Sequence, residues 1–300
     1  MTTTTETLVK AKEAAANAQA TGYDVTQAKA AEVATQEDGF SEFGGQGLEN
    51  LGRDDLAIPF LVILQAGSPQ VKRSEGDYIE GAYEGMLFNT VTKQVVDPAK
   101  DGLTVVPCFY DRNFVEWRVR ESGGGFVAQH ETPQGLKLQA DAMRDDKNRD
   151  ILPNGHQIND TRTFLCLAIY GDGSTSPVFI TLTSTQIKKA RQWLMQQSLL
   201  KLKAPNGNLY TPPMFASRWT VTTVPESNER GSWMGWAFTH AGYLKGPKDP
   251  LFVEAQALHK SMAEGTVKAD LSKSGVEPES NGTGGNGKND SDDKDDDIPF

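Results

Sequence analysis

The chain has 300 residues, 37% of them hydrophobic, and a formal net charge of −10. That length is enough to bury a real core. The strongest apolar run, Leu56 to Leu64, is short and interrupted by Pro59, which excludes a membrane-spanning helix there.

Residues 1–50 are rich in Ala, Thr, Gln and acids and hold few large apolar groups, so a disordered extension is expected, with at most a transient helix over Thr7 to Ala20. Its start, Met-Thr-Thr-Thr-Thr-Glu, has no basic region ahead of an apolar stretch, and a secreted protein is not expected. From Leu56 the texture changes, and Ile58 to Leu64 reads as a buried segment. Strands are predicted over Leu103 to Tyr110 and over Arg112 to Arg120. The polar stretch from Ser122 to Asn159, with Gly123-Gly124-Gly125 and the charged run Arg144 to Asp150, reads as a mobile loop or hairpin insertion.

The best-patterned part follows. Thr161 to Tyr170 and Pro177 to Leu182 are predicted to pair around the turn Gly171-Asp172-Gly173. Thr183 with Gln186 three residues on is a capping-box signal for a helix reaching Leu202, with Ile187, Ala190 and Leu194 facing inward. Two more strands, Met214 to Val224 and Gly231 to His240, are joined through Pro225 to Arg230. A closing helix is predicted over Asp249 to Glu264, and from Lys268 a Gly, Ser, Asn and Asp linker begins. Cys108 and Cys166 lie in apolar runs with no His or Cys at metal-ligand spacing, so buried free thiols in a reducing cytoplasm are expected.

This order of elements predicts a mainly β fold with inserted helices: an OB-like barrel with long loops and disordered acidic termini. The expected division is an extension over 1–50, the barrel domain over 51–253, a C-terminal helical segment over 254–267, and a flexible linker and tip over 268–300. The OB barrel commonly has a helix between its third and fourth strands, where the helix after Thr183 falls.

The acidity is uneven. Residues 1–50 hold eight acids against three bases and residues 274–300 eight against two, whereas residues 162–248 hold three acids against ten bases. Electrostatic footprints are local, so the overall sign does not exclude DNA. The last nine residues, Asp292 to Phe300, set an acidic run before an apolar Ile-Pro-Phe terminus whose α-carboxylate sits on the Phe. A basic patch would attract the aspartates, a pocket would take the ring, and a cation would pair with the carboxylate. A charge run that only keeps the protein soluble is the alternative, but Ile298 and Phe300 do nothing for solubility.

Asp295, Asp296, Asp297, Ile298, Pro299 and Phe300 closely resemble the C-terminal tip of bacterial single-stranded DNA-binding proteins. The resemblance covers only these residues. The body looks more like the divergent single-stranded DNA-binding proteins of phages, several of which pair an OB barrel with an acidic, Phe-terminated tail. The resemblance implies protection of transient single strands in replication, recombination and repair, with the tip recruiting partner enzymes that recognise it. For a phage-encoded protein the host cytoplasm is the expected setting; no membrane association and no cofactor are expected. A homo-oligomer is compatible with the resemblance.

Candidate contacts to DNA come from strand alternation, because a single-strand groove needs cations for phosphates and flat rings for bases. On the strand after Arg112, Val115, Trp117 and Val119 form one face and Arg112, Phe114, Arg118 and Arg120 the other. Arg218 lies opposite Trp219, which is expected in the core. Trp233 points away from Met234, Trp236 and Phe238 and is the first choice for a stacking ring. With Leu165, Leu167, Ile169, Val178, Ile180 and Leu182 filling the interior, Phe164, Tyr170 and Phe179 are left outside. Lys188, Lys189 and Arg191 on the helix, with Lys201 and Lys203 after it, form either a phosphate-tracking rim or a solvated face.

Other classes are weaker. There is no GxxxxGK[ST] loop, and the pairs Asp54-Asp55 and Asp145-Asp146 lie in polar loop sequence. His130, His156, His240 and His259 are scattered, without metal spacing. No catalytic residue and no metal site is expected. A recombination mediator or strand-annealing protein sharing the tip is the main rival, followed by a virion or scaffolding protein.

Overall fold

The computed structural model describes residues 57–229 and 231–274, together with Gly47. The rest of the N-terminal extension, the Asp54-Asp55 pair and the acidic tip lie outside the described residues.

The chain is mainly β. Three short strands, β1 (Leu61–Ile63), β2 (Leu87–Asn89) and β3 (Val95–Val96), form a small antiparallel sheet. β4 (Leu103–Trp117), β5 (Phe126–Glu131), helix α1 (Thr132–Asp141), β6 (Met143–Arg144), β7 (Asp150–Ile151), β8 (Gln157–Tyr170) and β9 (Thr175–Thr183) follow. After them come α2 (Ile187–Leu199), a small hairpin of β10 (Leu202–Lys203) and β11 (Leu209–Tyr210), then β12 (Ser217–Asn228), β13 (Gly231–Tyr243) and α3 (Pro250–Ala263). The main antiparallel sheet runs β13-β12-β4-β8-β7-β6, with β5 also on β4 and β9 also on β8, and it curls into a half-barrel.

The small sheet spans the gap between the edges β9 and β13. On one side the Phe179 N–H donates to the Pro59 carbonyl at 2.8 Å beside a parallel Phe60–Phe179 bridge. On the other, the Gln65 carboxamide donates to the Met234 carbonyl at 2.9 Å and accepts the Met234 N–H at 2.8 Å. Thr223 adds a hydroxyl bond to the Gly85 carbonyl at 2.7 Å. Side chains thus satisfy edge-strand groups that would otherwise invite another chain.

Both faces of the sheet are covered. One carries Val105, Phe164, Ile180, Leu182 and Trp219 beneath α2 and the small sheet. Ala190, Trp193 and Gln197, spaced three and four apart, form the buried stripe of α2. The Trp193 ring stacks between Phe238 at 3.9 Å and Phe164 at 4.4 Å, each pair contributing about 0.5–1.5 kcal/mol beyond its burial. The other face carries Val106, Val115, Trp117, Leu165 and Phe179 beneath α3. Asp249 caps α3 by accepting the Leu251 N–H at 3.1 Å, with Pro250 at the first helical position.

Double coverage corrects several expectations. Register pairs Phe164 with Ile180, Leu165 with Phe179 and Cys166 with Val178. Phe164 therefore shares a face with Val178, Ile180 and Leu182, and Leu165 and Leu167 lie on the other with Phe179. The two predicted strands before Arg120 are one long strand, β4, with a bulge between Pro107 and Phe109 that shifts its alternation. The stretch from Ser122 to Asn159 is ordered into β5, α1, β6 and β7 rather than looped out. Past Lys268, Ala269 and Leu271 are buried against the α3 side of the sheet, so packing continues beyond the expected start of the linker. Cys108 and Cys166 are free and buried, and burial pushes both thiols well above their ordinary range. Among the described residues no helix is long and apolar enough to cross a membrane.

Candidate nucleic-acid interface

Two of the predicted contact residues meet at an acid that sequence patterning does not single out. Glu226 on β12 faces Trp233 on β13 across the hairpin. Its carboxylate accepts the Trp233 indole N–H at 3.0 Å, the Gln186 carboxamide at 2.8 Å and the Lys189 ammonium at 2.9 Å. Burial pushes the Glu226 carboxyl up, but the bonds from Lys189, Gln186 and Trp233 outweigh burial and hold it below its ordinary value. Gln186, expected in a capping box with Thr183, makes no such box; its carbonyl oxygen accepts the Trp236 backbone N–H at 3.0 Å. The result is a half-exposed indole fixed in plane beside a lysine, with Lys188 and Arg191 exposed on the same helix.

The small hairpin that follows the far end of α2 is also turned to solvent. Lys201 and Lys203 are exposed, and so are Leu209 and Tyr210. Tyr210 is a second candidate stacking ring. The strands of the hairpin are joined by the turn Pro205-Asn206-Gly207, and sequence patterning singles out neither this hairpin nor its exposed aromatic.

The other predicted contacts are placed elsewhere. Phe114 is fully buried with Leu152 and Ile158, covered by α1, where a Cβ on Gly135 would come within 2.1 Å of its ring. Phe164 and Phe179 belong to the two cores, so none of the three offers a face to a base. Tyr170 is half-buried, its hydroxyl 3.1 Å from the Ser176 hydroxyl. Arg112 makes a two-pronged contact with Asp160 at 3.0 and 2.7 Å and lies 5.0 Å over the Phe114 ring. Asp160 also accepts two bonds from Arg162, at 3.1 and 2.9 Å, so both guanidiniums are committed within the fold.

Arg118 and Arg120 are exposed, but at the wrong end of the sheet. Val105 pairs with Trp219; from that row Arg118 lies thirteen residues along β4, and Glu226 lies seven residues along β12 in the opposite direction. At about 3.3 Å per residue this path along the curled sheet is roughly 65 Å, so Arg118 and Trp233 mark opposite ends of it. Arg218 is half-buried. Its neighbour Asp249 is held below its ordinary value first by the Lys245 backbone N–H, with Arg218 among the lesser contributors. Of the predicted set the structure brings Lys189 and Trp233 together at Glu226; Lys188 and Arg191 are exposed elsewhere around the same helix, and Arg112, Arg118, Arg120 and Arg218 do not join them.

Near the Arg118 end of the sheet, Glu116 is buried and accepts from His156 at 2.6 Å, His130 at 2.9 Å and Asn154 at 3.0 Å. These scattered histidines meet on one carboxylate, a contact sequence spacing could not show. Asp145, weighed as part of an acidic pair, is bound to Arg149 at 2.8 Å. Among the described residues no group of three or more His, Cys, Asp or Glu is arranged to hold a metal ion.

A mainly β protein built on a curled antiparallel half-barrel with a few helices is the class these observations define. The family model of Pam3 phage gp34-like proteins matches residues 25–268, and the chain belongs to that family of phage proteins. No curated protein and no solved structure matches it.

Proposed function

We propose that this protein binds single-stranded DNA without sequence preference, through the surface formed by Trp233, Lys188, Lys189 and Arg191 and continued by Lys201, Lys203 and Tyr210. The supporting observation is the meeting of Trp233 and Lys189 at Glu226, a ring and a cation held side by side on a helix rim with further exposed bases. Rings that stack bases contribute about 1–3 kcal/mol each and tolerate any sequence, and cations along the rim track phosphates. We read the half-barrel as a divergent OB fold in which the small sheet covers the gap between β9 and β13. The acidic Ile-Pro-Phe tip recruits replication and repair enzymes in the host cytoplasm, and phage membership fits that setting. Strand annealing is the second reading.

Fluorescence anisotropy with dT oligomers against duplex of equal length, at two salt concentrations, tests this. Preferential, salt-dependent binding of dT supports the proposal. Equal or absent binding overturns it, and accelerated pairing of complementary strands selects the annealing reading.

A further inference from the structure

Three donors converge on the Glu226 carboxylate: the Lys189 ammonium at 2.9 Å, the Gln186 carboxamide at 2.8 Å and the Trp233 indole N–H at 3.0 Å. The arrangement is built in from several sides. Glu226 lies across Gly235, where a Cβ would stand 2.6 Å from the carboxylate carbon and one oxygen, so any side chain there would push the acid out. Gln186 is anchored by the Trp236 N–H, which leaves its amide nitrogen aimed at the carboxylate. Glu226 is also one of three acids in the basic stretch 162–248. An ammonium, an amide N–H and an indole N–H suit an oxygen of a phosphodiester as well as they suit a carboxylate.

We propose that these donors form a phosphate subsite of the single-stranded DNA interface, filled in the free protein by Glu226 and opened when a backbone phosphate displaces it. The inference rests on the DNA-binding reading above. Glu226 sits near the turn of the β12–β13 hairpin, where Ser227, Asn228 and Glu229 are exposed, so the displaced carboxylate has water to enter. Binding then expels a like charge. It gives a weaker and less salt-dependent complex than the number of cations implies, because Lys189 is already neutralised.

The experiment compares the full chain with Glu226→Ala, Glu226→Gln and the double variant Lys189→Ala/Glu226→Ala. Glu226→Gln keeps the size of the side chain and guards against a folding defect. With dT oligomers, both single variants bind roughly tenfold tighter at low salt, the size of one charge-assisted contact. Their salt slope steepens by about 0.7, the value of one further phosphate contact on a single strand, and the double variant shows neither change. Unchanged or weaker binding by both single variants overturns the inference and makes Glu226 a brace for Trp233. In a second arm without DNA, inorganic phosphate raises the Tm of Glu226→Ala but not that of the double variant; equal response overturns the subsite. If no protein binds dT while Glu226→Ala still responds to phosphate, the subsite is supported and the DNA reading fails.

Discussion

Trp233 and Glu226 face each other across the β12–β13 hairpin, and the indole N–H donates to the carboxylate at 3.0 Å. In the free protein this bond holds the half-exposed ring in one orientation, and a phosphate that displaces Glu226 would accept the same indole N–H and keep the ring in place for stacking. Trp233→Ala is expected to weaken dT binding by about 1–3 kcal/mol. Trp233→Phe, which keeps a ring but loses the N–H, should fall between. Anisotropy titrations measure both, and intrinsic fluorescence quenched by dT in the native protein but not in Trp233→Ala identifies the ring.

The division of cations between two ends of the sheet gives a second expectation. Replacing Lys188 and Arg191 by alanine should flatten the salt dependence of dT binding by about 0.7 for each phosphate that is no longer neutralised. Arg118→Ala, at the other end of β4, should leave the slope unchanged. Slopes from titrations over a several-fold range of salt concentration decide this.

Arg112 predicts the reverse pattern. Its bond to Asp160 and its position over Phe114 are internal, so Arg112→Ala should lower stability by about 1.5–3 kcal/mol while leaving dT affinity intact. Urea unfolding and anisotropy on the same variant separate the two effects.

Glu116 gives a pH expectation. Burial pushes its carboxyl up, but the bonds from His156, His130 and Asn154 prevail and hold it below the ordinary glutamate value. A lowered folded-state value means that the ionised group stabilises the fold above the unfolded value of about 4.3 and loses that contribution as the pH falls through the folded value. Glu116→Gln should therefore be less stable than the native protein at pH 7, by on the order of 1.5–3 kcal/mol, and the gap should close below about pH 4. Denaturant melts at neutral pH and on either side of that value measure it; a gap that persists undiminished well below that value contradicts the assignment.

The sequence showed the framework more clearly than the surface. Trp117 and Trp219 are buried where alternation placed them, α2 begins within a few residues of Thr183, α3 falls inside the predicted Asp249 to Glu264, and the turn after Tyr170 joins β8 to β9. Alternation failed for Phe114, Phe164 and Phe179 because it separates two faces without saying that both are covered. α1, which covers Phe114, formed from a stretch whose glycines and charges read as a loop; Gly135 is there because the Phe114 ring leaves no room for a Cβ. The link from Lys189 to Glu226 joins residues far apart in sequence and follows only from the way α2 lies against β13. One local signal was available: Glu226 is a rare acid in a basic stretch, opposite the tryptophan whose alternation pointed it outward.

If this protein binds single strands as proposed, bases rest on Trp233 and its surroundings. Photocrosslinking of an oligo-dT carrying 5-iodouracil, followed by peptide mapping, tests it most directly. Adducts are expected on the β13 peptide containing Trp233 and on the hairpin containing Tyr210. Adducts confined to the segment from Arg118 to Phe126, at the far end of the sheet, would contradict that placement.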